Sequence, residues 1–226
     1  MEILLSPSIM CSDLLNLEKS IRDLEDAGFN RLHIDVIDGQ FAPSMPLGIE
    51  TIKAIKEKTD MFLDVHIMSV NNEYFIQEMI NIGVDRITFH IESSIHVQHY
   101  INMVKSEGIE VGIALTPNTN ENELKYIIND IDSVLIMMIN PGFANAKGED
   151  RVSYAFEKLE NINKFIASSK KQVNIQVDGR VSTELIPDLV SKGATDLVLG
   201  TRSLYNKSYT LEENKNMILN KIKEVK

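Results

Sequence analysis

Cysteine is almost missing from this chain: of 226 residues only Cys11 carries a thiol. One thiol closes no internal disulfide and offers no thiolate cluster to a structural zinc, so the fold must rest on a hydrophobic core. Tryptophan is absent and aromatics make up 6%, against 43% hydrophobic residues, which makes that core mainly aliphatic. Positive charge is also short, with 23 Lys and Arg against 33 Asp and Glu and a formal net charge of -10. That balance argues against nucleic acid and against an anionic membrane surface as partners. An anionic small molecule would need local devices instead, such as backbone amides, a metal ion or a helix N-terminus. No run approaches the roughly 20 apolar residues of a membrane span. The segment Met1 to Asp13 lacks the basic start and long apolar stretch of a secretory signal, so a cytoplasmic protein is expected. No linker rich in Pro, Gly or Ser breaks the chain, and one domain over residues 1–226 is expected.

What is present is an alternation of short apolar runs with stretches of helical period. Strands are expected at Ile3 to Ser8, in the stretch Arg31 to Gly39, and at Met61 to His66, Arg86 to His90, Val111 to Leu115, Ser133 to Met137, Val173 to Val177 and Asp196 to Leu199. Helices are expected at Leu14 to Ala27, Ile49 to Lys58, Tyr74 to Ile82, Val97 to Ser106, Glu121 to Ile128, Tyr154 to Ile166, Ile186 to Lys192 and Leu211 to Lys223. Glycine repeatedly ends a helix just before a new strand, as in Ala27-Gly28, Ile82-Gly83-Val84-Asp85 and Lys192-Gly193-Ala194. Eight such units predict an α/β protein of the (β/α)8 TIM-barrel type, because parallel strands need crossover helices and eight strands close at a radius that side chains fill. A doubly wound open sheet gives the same alternation, but no G-x-G-x-x-G follows the first strand.

The second strand contains a contradiction. In Arg31-Leu32-His33-Ile34-Asp35-Val36-Ile37-Asp38-Gly39, the aliphatic residues supply a strand, yet His33 and Asp35 share the opposite face. Inside a barrel that face is the interior, where an imidazole and a carboxylate cost several kcal/mol unless each finds a partner or a metal. His66, expected to end the third strand, and Asp178, expected to end the seventh, fall where barrel enzymes place reacting groups. Two imidazoles and two carboxylates converging at one mouth suit one divalent ion, Zn, Mn, Fe or Co, with positions left for substrate oxygens. Glycines after strands six, seven and eight, at Gly142, Gly179 and Gly200, with Phe143 and Thr201 beside them, are expected to bring backbone amides to a phosphate. A helix start behind the last of these loops is expected to add positive potential, with Arg180 or Arg202 assisting.

Five motifs, Ser6-Pro7-Ser8-Ile9-Met10, His33-Ile34-Asp35-Val36-Ile37-Asp38-Gly39, Asp64-Val65-His66-Ile67-Met68, Asn140-Pro141-Gly142-Phe143 and Val177-Asp178-Gly179, resemble the ribulose-phosphate 3-epimerase family from about Leu5 to Tyr205. The resemblance implies one divalent metal held by His33, Asp35, His66 and Asp178, with Asp35 and Asp178 as an acid/base pair on opposite faces of a phosphorylated ketose. It further implies Ser8 and His66 as substrate contacts, Met10, Met68 and Met137 as soft apolar walls, and a homo-oligomer, dimer or hexamer. The run Met10-Cys11 and the segment Gly200 to Asn206 lean toward the allulose-6-phosphate 3-epimerase branch rather than the pentulose-phosphate one. The chain departs from the family pattern at Ala144-Asn145-Ala146, Gln176, Arg180 and Ile37. Related decarboxylase and synthase barrels carry Asp-x-Lys-x-x-Asp on strand three, where this chain has His66 and Ser69. A barrel that binds sugar phosphate without turnover is the remaining alternative, motivated by the altered phosphate loop.

Overall fold

The computed structural model describes residues 2–143 and 147–225; the departure at Ala144-Asn145-Ala146 lies outside the described residues. Eight parallel strands form the sheet: β1 (Leu4–Pro7), β2 (Arg31–Ile37), β3 (Phe62–Met68), β4 (Arg86–His90), β5 (Glu110–Leu115), β6 (Ser133–Met137), β7 (Asn174–Asp178) and β8 (Asp196–Leu199). Their order runs β1, β8, β7, β6, β5, β4, β3, β2. One parallel bridge between Ser8 and His33 brings the two ends of the sheet together, making a single (β/α)8 barrel. Its helices are α1 (Leu17–Asp26), α2 (Ile49–Lys56), α3 (Asn72–Ile82), α4 (Val97–Ser106), α5 (Ala155–Ala167), α6 (Ile186–Ser191) and α7 (Leu211–Lys223). Among the described residues no helix is long and apolar enough to cross a membrane.

Strand alternation sorts the side chains. Leu32, Ile34 and Val36 of β2 join Ile21 and Leu24 of α1 and Ile52 and Ile55 of α2 in one aliphatic core, so the hydrophobic effect is concentrated between strands and helices. The opposite face carries Ser6, His33, Asp35, Asp64, His66, Thr88, Gln176 and Asp196, all buried. Low in the barrel several of these polar groups bond one another. Arg86 Nη1 donates to Asp196 at 3.1 Å, and its Nη2 to Glu110 at 2.7 Å. Ser6 Oγ donates to Asp196 at 2.6 Å, and Gln176 Nε2 bridges Asp64 and Asp196 at 2.5 and 3.1 Å.

Several expected boundaries move. Leu14–Asn16 is a separate 3-10 turn whose start is held by Asp13 accepting from Leu15 N–H, and α1 begins only at Leu17 because Asn16 leaves the helical region. The helix expected at Glu121 to Ile128 is a 3-10 turn, Glu121–Leu124, capped by Asn120, with hydrogen-bonded turns behind it. β3 runs two residues past His66, so His66, like His33 and Asp35 in β2, lies within its strand rather than at the end. No α-helix starts directly behind Gly200: Ser203 and Tyr205 N–H groups turn back onto the Gly200 carbonyl, and α7 begins only at Leu211. The expected helix-end potential behind that loop is therefore absent.

Candidate active site

Register assembles the site. Asp35 of β2 is the lateral neighbour of His66 of β3, Met137 of β6 that of Asp178 of β7, and the closing bridge puts Ser8 beside His33. Ligand-capable atoms of His33, Asp35, His66 and Asp178 all fall within 4.8 Å of one another. Asp35 Oδ1 stands 3.4 Å from His33 Nε2 and 3.3 Å from His66 Nδ1. Ser8 Oγ donates a long 3.4 Å hydrogen bond to the other Asp35 oxygen.

The fit to a cation can be tested on these atoms. His33 Nε2, Asp35 Oδ1 and His66 Nδ1 are buried without hydrogen-bond partners, although each lone orphan of this kind costs about 1–3 kcal/mol. All three belong to the four-residue cluster, and two nitrogens with two carboxylates match the donor set of a first-row divalent ion. Behind His33, Asp64 Oδ2 lies 3.0 Å from Nδ1; with Nδ1–H donating to that carboxylate, Nε2 is left to face the centre. The residues fit a divalent metal.

Electrostatics separate the two carboxylates of the cluster. Burial disfavours ionisation of Asp35, but the adjoining His33 and His66 rings outweigh it and hold the carboxyl well below its usual range. Asp178 moves the other way, raised by burial and then by the charge of Asp35. Burial also disfavours charge on His33, yet Asp35 and Asp64 raise it well above an ordinary imidazole.

A cavity of about 280 Å³ opens above the cluster, lined by Ser8, Met10, Asp35, Met68, Met137, Gly142, Asp178, Gly179, Gly200 and Thr201 among others. His33 and His66 are fully buried beneath it. Phe143, expected at the phosphate, is 39% exposed and stands outside the lining residues, because the turn at Asn140 to Phe143 carries its ring to the surface. Gly142 has φ +80, and a Cβ there would come 2.5 Å from the Ala42 Cβ, so any side chain would collide with the loop after β2. Arg180 and Arg202 both line the cavity, as does Lys207, which the sequence reading passed over. Arg180 takes φ +59, the one non-glycine positive φ among the described residues. Its guanidinium donates to the Glu149 carbonyl at 3.2 and 2.6 Å, while the Glu149 carboxylate accepts from the Asn140 N–H and side-chain amide at 3.0 and 2.9 Å. Arg180, one of the departures from the family pattern, thus braces the chain at Glu149.

Three groups escaped the sequence reading. Asp64, quoted in a motif without a role, supports His33. His90 Nε2 sits 3.0 Å from His66 Nε2, and Glu92 Oε2 sits 3.0 Å from His90 Nδ1. The signal for His90 was its position at the C-terminal end of β4, the same rule that singled out the other site residues.

A parallel barrel gathering two imidazoles and two unequal carboxylates beneath one cavity defines, with its relatives, an isomerase of the class that epimerises carbohydrate phosphates. The match is to the model of the "Ribulose-phosphate 3 epimerase family" over residues 4–204. The chain belongs to the ribulose-phosphate 3-epimerase family. It is 32% identical over 207 residues to the ribulose-phosphate 3-epimerase of Bacillus subtilis (strain 168), covering 91% of this chain and 94% of that one. It is 33% identical to the chloroplastic ribulose-5-phosphate-3-epimerase of Arabidopsis thaliana, covering 92% of this chain and 74% of that one. Among solved structures, 3-hexulose-6-phosphate synthase from Salmonella typhimurium superposes with a TM-score of 0.67 at 16% identity, covering 99% of this chain and 100% of that one. A likeness at that identity speaks for the fold alone.

Proposed function

We propose that this chain is a metal-dependent ketose-phosphate 3-epimerase in which Asp35 and Asp178 exchange the C3 proton from opposite faces. The observation that carries this reading is that both carboxylates border one cavity and belong to one cluster spanning no more than 4.8 Å between ligand atoms. Inverting a carbon beside a ketone requires taking its proton from one side and returning one from the other, which a single base cannot do. His33, Asp35, His66 and Asp178 would hold the metal, which when bound supplies Lewis-acid stabilisation of the negative charge that develops on the substrate's oxygens. Met10, Met68 and Met137 keep water from the reacting carbon. Ser8 orients Asp35 and reaches the substrate. Amides at Gly142, Gly179, Gly200 and Thr201 take the phosphate, with Arg180 and Arg202 adding charge at the same end.

The relatives' names favour D-ribulose 5-phosphate, whose partner in a C3 inversion is D-xylulose 5-phosphate. Met10-Cys11 and the segment Gly200 to Asn206 favour D-allulose 6-phosphate and D-fructose 6-phosphate. Both pairs are to be assayed side by side in deuterated water. Deuterium should enter C3 of the true substrate, a chelator should abolish entry, and Asp35→Asn should lower the rate of inversion by about 10²–10⁴-fold in a folded protein. Failure of every ketose phosphate to exchange would favour a binding barrel without turnover.

A further inference from the structure

We infer that His90 and Glu92 are positioning residues that decide which ring nitrogen of His66 carries the hydrogen, and so which one faces the metal cluster. The functional consequence rests on the metal reading above; the tautomer itself does not.

Glu92 lies in the 3-10 turn Ile91–Ser93 directly after β4. Its Oε1 accepts the Thr116 N–H at 2.7 Å and the Thr119 hydroxyl, both from the loop after β5. Its other oxygen faces His90 Nδ1 at 3.0 Å. An ionised carboxylate only accepts, so His90 must carry its hydrogen on Nδ1. A neutral His90 ring is then bare at Nε2, the atom 3.0 Å from His66 Nε2. Two bare nitrogens at that distance would repel, so His66 bears its hydrogen on Nε2 and donates. A neutral His66 is consequently bare at Nδ1, the buried orphan atom 3.3 Å from Asp35 Oδ1.

Packing holds His90 in this chain of hydrogen bonds. Its side chain is fully buried, with Phe41 at 4.7 Å and His66 at 5.0 Å between ring centroids, so water cannot replace either partner. A charged imidazole shut off from water costs several kcal/mol, and Glu92 reaches only one of the ring's two nitrogens, so the ring stays neutral. Glu92, also buried in part, is nevertheless held down at about 2 by His90, Thr119 and the Thr116 amide. The polarity of the chain is therefore set at Glu92 and transmitted to His66, whereas His33 receives the same service directly from Asp64.

The test reads tautomers in metal-free protein labelled with ¹⁵N-histidine, using long-range ¹H–¹⁵N correlation at mildly alkaline pH. In the unaltered protein His66 should carry hydrogen on Nε2. Glu92→Gln keeps the shape but should reverse the chain: the fixed Thr116 N–H claims the amide oxygen, the amide NH₂ then points at His90 Nδ1, and His66 is left with hydrogen on Nδ1. Zn²⁺ affinity, measured by competition with a chelating dye, should fall about 10–100-fold in that variant. His90→Phe, which removes the acceptor for His66 Nε2–H, should shift His66 the same way. Hydrogen on His66 Nδ1 in the unaltered protein, or Nε2–H persisting in both variants, would overturn the inference. Tautomers that switch as expected in a protein that binds no Zn²⁺ would support the inference and sink the metal reading instead.

Discussion

Asp35 and Asp178 are the same chemical group in two surroundings. Asp35 is flanked by two imidazoles, whereas Asp178 has burial and a neighbouring carboxylate against its ionisation. If each serves one face of the substrate, losing one should not silence the other. Asp178→Asn, reloaded with metal and checked for metal content, should still wash deuterium into C3 of one epimer, with retention, while inversion falls by about 10²–10⁴-fold. Equal loss of exchange from both epimers in a variant that keeps its metal would break the one-face-each assignment. Residue chemistry of this kind was largely legible before folding, because a histidine and an aspartate alternating with aliphatics in a strand have few bland explanations. The ring of Phe143 is the opposite case: whether an aromatic beside a glycine turns inward depends on the turn, and here it turns outward.

At the level of elements, local signals worked where capping and periodicity agreed. α7 starts as expected at Leu211, and Thr210 forms a reciprocal capping box with Glu213, satisfying backbone donors that a helix start otherwise leaves open. Thr210→Ala should destabilise the fold by about 1 kcal/mol. Thermal melts should then show a fall of about 2–4 °C for a chain of this size; an unchanged melting temperature would mean that α7 is held by packing alone. The segment after β5 shows where such signals mislead. Leu124, Ile127 and Ile128 have helical spacing and are all buried, yet the chain there forms a 3-10 turn followed by tight turns. Apolar spacing reported burial correctly, but three buried residues within five positions can be packed by successive turns as well as by a helix.

For the whole molecule, the proposed metal site would join function to stability. His33 and Asp35 come from β2, His66 from β3 and Asp178 from β7, so an ion held by all four ties distant parts of the barrel together. Binding to the folded state alone stabilises it by about 4 kcal/mol at a thousandfold excess over Kd. Adding Zn²⁺, Mn²⁺, Fe²⁺ or Co²⁺ to chelator-treated protein should therefore raise the melting temperature by about 8–16 °C, and His66→Ala should lose most of that shift. Absence of any shift with all four ions would remove the proposed centre. By itself the sequence determined the order of strands and helices, the aliphatic shell between them and the identity of the four clustered side chains, since these depend on periodicity, composition and residue type near each strand end. Only the tertiary structure decided that Ser8 closes the barrel against His33, that Arg180 braces the loop at Glu149, and that Glu92 stands two hydrogen bonds behind His66. Those relations join residues far apart along the chain or set side-chain direction, and strand register and loop path fix them through contacts that no local pattern encodes.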